Sequence, residues 1–252
     1  MKFKIYLYYY KVLNLWMELS IVIPAYNEEK RIGETFSKIT DFLNKNRIQN
    51  EIILVDDGST DKTIDIVKKF KGDIRILRNR INSGKGYSVR RGIENAKYNL
   101  VIFTDADLST PIEELSLMFK EIKNGNDIVI ASRSLPESVI VVKQPFYRQI
   151  LGRAFPFFVR LLLIPRLKDT QCGFKLFKTN VAKRLVKFQT VCRFSFDVEL
   201  LYLAKRLGYR IKEVPVTWVD KKGSKVNPFK DAFVMFGDLI RIRFNAFVGK
   251  YR

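Results

Sequence analysis

The sequence predicts an α/β fold in which a mostly parallel central sheet is flanked by helices, as in Rossmann-like domains. Short apolar runs alternate with helical patterns over residues 19–131, and this alternation is typical of a parallel sheet covered on both faces. The runs are continuously apolar, as expected of strands that are buried on both sides. A length of 252 residues with 47% apolar residues suffices for one large domain with a full core.

The boundaries of these elements carry their own signals. The first strand, residues 19–23, ends at Pro24, and the second strand runs into an acidic turn. Gly84 and Gly86 open the helix after the third strand, and Pro111 suits the first turn of the helix after the fourth. The predicted strands are residues 19–23, 51–55, 74–77, 100–104 and 127–131, and the predicted helices are residues 28–46, 62–71, 84–96 and 111–123.

The second half of the chain is predicted to be largely helical and rich in aromatic residues. An apolar pattern at helical spacing covers residues 147–162, but Pro156 within it predicts two short helices instead of one. Residues 194–207 predict a further helix. An apolar stripe near the C-terminus would pack into a core or lie in a membrane interface, and the dense charge around it favours the interface. The stripe consists of Phe229, Phe233, Phe236, Ile240, Phe244 and Phe247.

These patterns divide the chain into an N-terminal extension (residues 1–18), a main domain (residues 19–220) and a basic amphipathic C-terminal segment (residues 221–252). Within the extension, the aromatic run at residues 3–16 is either an interfacial anchor or a stretch that precedes the true start at Met17. No segment is long and apolar enough to predict a transmembrane helix.

Composition and charge exclude several kinds of chemistry. The sequence contains no histidine, which excludes Ser–His–Asp and Cys–His catalysis and metal sites with histidine ligands. Cys172 and Cys192 lack the spacing of a zinc cluster and suggest a reducing compartment. The net charge of +20 is concentrated in residues 75–91, 143–168 and 221–252. Such clusters indicate an anionic partner, which could be nucleic acid, an anionic membrane or a phosphorylated substrate.

Acidic residues follow two of the predicted strands. Asp105 and Asp107 come directly after residues 100–104, and Asp56 and Asp57 end the second strand. If the backbone stays extended, the side chains of Asp105 and Asp107 point to the same side and repel unless a cation joins them. Mg²⁺ prefers oxygen ligands and is commonly completed by substrate phosphates. Ordinary turns with Asx caps are the alternative interpretation of both acidic pairs.

The segment Gly84-Lys85-Gly86 imitates nucleotide-binding loops without matching either of the two common patterns. Val89 stands at the last position of the dinucleotide pattern, and Lys85 is not followed by Ser or Thr as in a P-loop. What remains is a glycine turn at a helix N-terminus, with Lys85 near a phosphate.

Eight motifs stand in order along nearly the whole chain. They are SIVIPAYNEE (20–29), VDDGSTD (55–61), NSGKGYSVRRGI (82–93), TDADLSTPIEEL (104–115), DIVIASRS (127–134), DTQCGFKLF (169–177), FSFDVELLYLAKRLGYRIKEVPVTW (194–218) and SKVNPFKD (224–231). In order and spacing, the first four resemble glycosyltransferase family 2, of GT-A fold. The later motifs are similar to its branch of dolichyl-phosphate β-glucosyltransferases and prokaryotic polyprenyl-phosphate relatives.

The resemblance implies a nucleotide-sugar half (residues 19–133) and an acceptor half (residues 134–220). In the first half, uridine and ribose would be held by Pro24, Tyr26, Glu28, Asp56 and Asp57. Asp105 and Asp107 would bind a divalent metal, Mg²⁺ or Mn²⁺, and the diphosphate, with Asp107 as the firmer ligand and Lys85 nearby. Ser109 stands where some relatives have a glutamine ligand.

The resemblance also assigns residues in the second half. Arg133 and Arg148 match cations that hold the acceptor phosphate. Gln171, Asp197 and Glu199 would line the sugar side, although Asp197 and Glu199 could equally be a pair on an ordinary helix. Ser224 and Lys225 would close over the diphosphate.

The implied reaction is the inverting, metal-dependent transfer of a hexose, glucose from UDP-glucose, to a polyprenyl or dolichyl phosphate. A phosphate monoester is mostly dianionic at neutral pH, so the acceptor needs positioning by arginine and no histidine base. The implied location is the cytoplasmic face of the cell membrane, with the enzyme bound peripherally to an anionic surface and not to nucleic acid. The alternatives are a GDP-mannose-dependent enzyme of the same fold and a non-catalytic basic module that binds nucleic acid or membrane.

Overall fold

A computed structural model describes residues 18–142, 146–221 and 228–251, and for residues 142, 146–153 and 228–230 it describes the backbone only. The strands are β1 Glu18–Ala25, β2 Gln49–Asp56, β3 Ile74–Arg78, β4 Leu100–Thr104, β5 Ile128–Ser132, β6 Val139–Val142, β7 Phe174–Lys178, β8 Ile211–Pro215 and β9 Thr217–Val219. The helices are α1 Ile32–Asn46, α2 Thr63–Val67, α3 Lys85–Asn95, α4 Leu115–Lys123 after the 3₁₀ turn Ile112–Glu114, α5 Phe146–Leu162, α6 Thr179–Phe188, α7 Phe196–Arg206 and α8 Pro228–Phe247.

Seven strands form one mixed sheet in the order β3-β2-β1-β4-β7-β5-β8. The first four of these are parallel, β8 is parallel to β5, and β7 is antiparallel to both of its neighbours. The predicted α/β class with a mostly parallel sheet is therefore confirmed. Because β7 runs the other way, the residues before it lie at the same sheet edge as the residues after β4, where Thr104 pairs with Phe174. The short strands β6 and β9 form a separate parallel pair.

The core lies on both faces of the sheet. Successive β4 residues alternate between two buried clusters: Val101 and Phe103 pack on one face, while Leu100 and Ile102 pack on the other. This alternation explains why the strand sequences are continuously apolar. Because β1, β2 and β4 are parallel, their carboxyl ends share one edge, above the two-sided core.

Helix α1 begins at Ile32, four residues later than predicted, because side chains hold the preceding residues in a turn. The backbone N–H groups of Asn27 and Glu28 donate to the hydroxyls of Ser59 (2.9 Å) and Thr63 (2.7 Å). A turn held in this way ties the end of β1 to the acidic turn after β2.

The prediction of two helices around Pro156 is wrong, because α5 continues through that residue as one helix. A proline inside a helix removes one backbone hydrogen bond and crowds the preceding turn. Helix α5 packs along α8, and this tertiary packing holds the helix together where local propensity would end it.

The C-terminal helix α8 is apolar on two sides. Leu239, Ile242 and Ala246 are buried in the core, whereas the predicted stripe faces outward from Phe233 onward, with Phe233 81% and Phe247 86% exposed. Aromatic side chains of α5 join this surface, since the rings of Phe158 and Phe236 meet edge to face. Among the residues that the structure describes, no helix is both long and apolar enough to span a bilayer.

Candidate active site

A cavity of about 960 Å³ opens at the sheet edge where β1, β2 and β4 end. Most of the residues that the sequence analysis singled out lie in its wall. These are Pro24, Tyr26, Glu28, Asp57, Lys85, Asp105, Asp107, Ser109, Arg133, Gln171 and Asp197. The edge location is the place where open α/β sheets bind ligands.

The two acids of the first acidic turn have different positions. Asp57 lines the cavity and accepts hydrogen bonds from Asn79 Nδ2 (2.7 Å) and from the N–H groups of Ser83 and Gly84 (both 2.9 Å). Asp56 lies behind it, fully buried, and its carboxylate faces Arg78 at 3.3 Å. Asp57 therefore holds the turn that begins α3, and Asp56 is not among the residues of the cavity wall.

The second acidic pair lines the same cavity. Residues 106 and 107 form a turn, not the extended continuation that the sequence analysis considered, yet both Asp105 and Asp107 reach the cavity wall. Burial raises the pKa of Asp107, and the neighbouring carboxylate of Asp105 raises it further. Two carboxylates in electrostatic contact form a site that a cation would stabilise.

The donor set of this pair fits a hard divalent cation. Carboxylate oxygens are the ligands that Mg²⁺ and Mn²⁺ prefer, and such ions usually keep positions for water or substrate phosphate. Within the described part of the chain, no group of three or more acidic or cysteine side chains could by itself hold a metal. The described part of the chain thus offers Asp105 and Asp107, and substrate phosphate or water would supply further oxygens.

Cations surround the acidic pair. Lys85 Nζ lies 2.5 Å from Asp105 Oδ1, and Arg31 Nη1 lies 3.7 Å from Asp107 Oδ2. Burial of Lys85 opposes its charge, but the carboxylates of Asp105 and Asp197 outweigh this and raise the pKa of Lys85. Arg31, which also pairs with Glu28 at 2.5 Å, was not predicted.

The acids of the FDVEL segment point in different directions. Asp197 lines the cavity and pairs with Lys175 Nζ at 2.9 Å, while burial raises the pKa of Asp197. Glu199 is fully buried and accepts hydrogen bonds from Thr190, Val191 and Tyr251. Glu199 is therefore absent from the described cavity wall, where the sequence interpretation placed it beside Asp197.

Arg133 enters the cavity wall in a fixed orientation. Its Nε and Nη2 donate to the two carboxylate oxygens of Asp169 at 2.7 and 3.0 Å, and its guanidinium lies 5.4 Å from the ring centre of Trp218. Burial opposes ionisation of Asp169, but Arg133 outweighs it and holds the pKa of that carboxyl well below its usual range. Asp169 lies in a motif that the sequence analysis recognised, but its role as the partner of Arg133 was missed.

The cavity wall also contains Gly84, which opens α3 as predicted, and further residues with no predicted role. These are Ala25, Asn82, Ser88, Ala106, Gly173, Arg193, Phe194, Trp218, Asp231 and Met235. Several of them stand inside the eight motifs, and this position was the only feature of the sequence that connected them with the site. Arg193 lies just outside them, so no sequence signal marked it. Ser224, Lys225 and the side chain of Arg148 lie outside the described residues, and their predicted roles stay predictions.

The mixed sheet, with the acidic pair at the edge where its parallel strands end, matches the GT-A fold that the sequence motifs imply. The sequence matches Glycosyl transferase family 2 over residues 20–186, and the chain belongs to that family.

Two dolichyl-phosphate beta-glucosyltransferases match almost the entire chain. It is 39% identical over 249 residues to a dolichyl-phosphate beta-glucosyltransferase of Dictyostelium discoideum, covering 93% of this chain and 76% of that protein. The enzyme of the same name from Homo sapiens is 34% identical over 251 residues, covering 93% of this chain and 78% of the relative.

Solved structures share the fold at low sequence identity. Glucosyl-3-phosphoglycerate synthase from Mycobacterium tuberculosis in complex with UDP superimposes with a TM-score of 0.68 at 18% identity, covering 94% of this chain and 82% of that one. The same enzyme has been solved with Mn²⁺, UDP and phosphoglyceric acid, with a TM-score of 0.67 and 17% identity over 95% of this chain and 81% of that one.

Proposed function

We propose that this chain transfers glucose from UDP-glucose to a dolichyl or polyprenyl phosphate, with inversion at the anomeric carbon, and so forms a lipid-phosphate sugar. The relatives named for this reaction at up to 39% identity support the proposal. The structural observation that carries it is one cavity lined by an acidic pair, Asp105 and Asp107, together with the arginines Arg133 and Arg193. A metal-bound nucleotide diphosphate and a phosphate acceptor both fit this combination of charges.

We assign the nucleotide to the side of the cavity formed by the ends of β1 and β2. Pro24 is the last residue but one of β1, Tyr26 and Glu28 follow its end, and Asp57 lies beside them. Tyr26 offers an exposed aromatic surface to a base, and the carboxylates offer acceptors to ribose hydroxyls. Asp56 supports this region from behind, because its carboxylate accepts from the N–H of Ser59 in the acidic turn after β2.

Asp105 and Asp107 are the residues that would hold a divalent cation. When bound, such an ion neutralises the negative charge that develops on the departing UDP. The fold neighbours contain Mn²⁺ or Mg²⁺ with UDP, which supports a divalent metal in this position. Lys85, 2.5 Å from Asp105, adds positive charge on the same side of the cavity.

We assign the acceptor phosphate to Arg133. Two of its donor groups are engaged by Asp169, which fixes the guanidinium and leaves its remaining N–H groups for an anion. Because the phosphate monoester is already ionised, positioning replaces proton abstraction, and a chain without histidine can perform the reaction. By resemblance, we also assign Arg148 to this phosphate, and Ser224 and Lys225 to the diphosphate.

The exposed apolar face of α5 and α8 supports peripheral attachment to a membrane, where the isoprenoid acceptor resides, and we assign the cytoplasmic face by resemblance. Phe157 and Leu161 on α5 and Phe233 and Phe244 on α8 are exposed. Asp231 and Met235, near the start of α8, line the cavity, so the helix connects this face with the site. Basic residues near an anionic surface contribute about 1 kcal/mol each.

The test is incubation of the full chain with labelled UDP-glucose, UDP-GlcNAc or GDP-mannose and polyprenyl phosphate, with and without EDTA. We expect label in the lipid phase from UDP-glucose, loss of the signal with EDTA and recovery with excess Mn²⁺. Label from GDP-mannose alone would support the mannosyl alternative. Absence of lipid label from every donor would refute the proposed reaction.

A further inference from the structure

Arg193 and Phe194 enter the cavity from a connecting segment between α6 and α7, residues 189–194, here called the 189–194 loop. The loop forms no helix or strand, so tertiary contacts must hold it. On one side it is fastened to the beginning of α3, where the N–H of Tyr87 donates to the carbonyl oxygen of Cys192 at 3.1 Å.

On the other side the loop is held by a buried carboxylate. Glu199 Oε2 accepts from the N–H groups of Thr190 (2.9 Å) and Val191 (2.8 Å), and Oε1 accepts from the hydroxyl of Thr190 (2.6 Å). Glu199 is completely shielded from solvent, and a buried carboxylate is stable only when donors satisfy it. These hydrogen bonds therefore fix the backbone of the loop two and three residues before Arg193.

The C-terminal segment completes this arrangement. The hydroxyl of Tyr251 donates to Glu199 Oε1 at 2.6 Å. Asn245 on α8 donates from Nδ2 to the hydroxyls of Thr190 (3.1 Å) and Tyr251 (3.3 Å). Burial and the acceptor Glu199 raise the pKa of Tyr251, so its hydroxyl stays a donor. Residues at the end of the chain are thus joined to the wall of the cavity.

We propose that Tyr251 is a positioning residue for sugar transfer, which acts through Glu199 to hold the 189–194 loop so that Arg193 faces a substrate phosphate. This inference rests on the proposed function, because a phosphate ligand for Arg193 requires a nucleotide-sugar or lipid-phosphate substrate. Both substrates carry that group, and their separate KM values distinguish which of them Arg193 contacts.

The first test is Tyr251→Phe, which keeps the buried ring and removes the donor to Glu199. We expect hydrogen exchange of the Thr190 and Val191 amides to accelerate about tenfold and kcat/KM to fall about tenfold, the effect of one hydrogen bond to a charged acceptor. Tyr202→Phe, at a buried tyrosine on the same helix as Glu199, is the matched control and should change neither quantity.

A double-mutant cycle separates positioning from general destabilisation. Arg193→Ala alone should lower kcat/KM, and adding Tyr251→Phe to it should cost no more than about twofold, because the cation that Tyr251 positions is gone. Fully additive effects would overturn the proposal. Thr190→Val removes the hydroxyl that contacts both Glu199 and Asn245, and it replaces Tyr251→Phe if that variant does not fold.

The positioning role can be tested separately if the proposed transfer to lipid fails. If no donor labels any lipid, the affinity for UDP with Mn²⁺, measured by calorimetry, replaces kcat/KM in the cycle. Coupling between Tyr251 and Arg193 in that affinity would support the positioning role without the lipid reaction. Unchanged exchange of the 190 and 191 amides in Tyr251→Phe would overturn the positioning role whatever the chain transfers.

Discussion

Gly173 lies directly against the carboxylate of Asp105, so that a Cβ at position 173 would come within 2.1 Å of Oδ2 and 2.5 Å of Cγ. The contact follows from the antiparallel pairing of β4 and β7, which sets Thr104 opposite Phe174. Asp105, directly after β4, therefore lies beside Gly173, directly before β7. The missing side chain at position 173 is what allows Asp105 to face the cavity.

Gly173→Ala should displace Asp105 and lower metal-dependent transfer by at least about tenfold, because a misplaced ligand weakens both metal and diphosphate binding. The rate as a function of Mn²⁺ concentration measures this effect. The control is Gly237→Ala on α8, where an added Cβ meets nothing within 4 Å. Equal activity of the two variants would show that Asp105 does not need its present position.

Asp107→Asn should abolish metal-dependent transfer and leave the fold intact, since the amide keeps the shape of the side chain and removes its charge. A loss of about a hundredfold or more is expected if a metal stabilises the leaving group. Transfer assays with Mn²⁺, together with circular dichroism, measure activity and folding. Asp65→Asn, at an exposed position on α2, should behave as wild type. Full activity of Asp107→Asn would refute the metal assignment.

The ion pair of Arg133 with Asp169 should contribute to stability in a pH-dependent way. The pKa of Asp169 in the folded state lies well below its unfolded value of about 3.9. Its contribution is therefore present above that value and is lost as the pH falls toward the folded-state pKa. Asp169→Asn should lower the free energy of unfolding at pH 7 by about 2 kcal/mol, allowing for the partial exposure of Arg133.

Urea unfolding of wild type and Asp169→Asn between about pH 3 and pH 7 would measure this dependence, because that range includes the pKa of about 3.9 that an aspartate has in the unfolded chain. The difference between the two midpoints should shrink as the pH decreases, whereas Asp41→Asn on the exposed side of α1 should follow wild type throughout. A constant difference across this range would mean that Asp169 does not titrate with a depressed pKa.

The outward face of α8 should determine attachment to membranes. Replacing Phe244 and Phe247, both exposed, with glutamate should weaken sedimentation with anionic liposomes by about tenfold or more, since each phenylalanine loses burial worth about 1.5–3 kcal/mol. Val139→Glu changes an exposed apolar residue on β6 and should leave liposome binding unchanged. Equal liposome binding by wild type and the Phe244/Phe247 double variant would exclude this face as the attachment surface.

Several local features of this chain follow from the sequence by itself. Apolar runs of strand length, separated by helical patterns, predict the α/β class because both faces of such a sheet must be covered. The acidic pairs at the ends of the second and fourth strands indicate the ligand edge, since parallel strands bring their carboxyl ends together. These inferences rely on periodicity and order along the chain, which neighbouring residues determine.

The tertiary structure alone decided which members of each pair reach the cavity. Asp197 and Glu199 are two positions apart on a helix, so their side chains point about 160° from each other, and one faces the cavity and the other the 189–194 loop. The antiparallel insertion of β7, the partnership of Arg133 with Asp169 and the bond from Tyr251 to Glu199 join residues that are far apart in sequence. No local pattern encodes such pairings, because they arise only when the packed elements bring the side chains together.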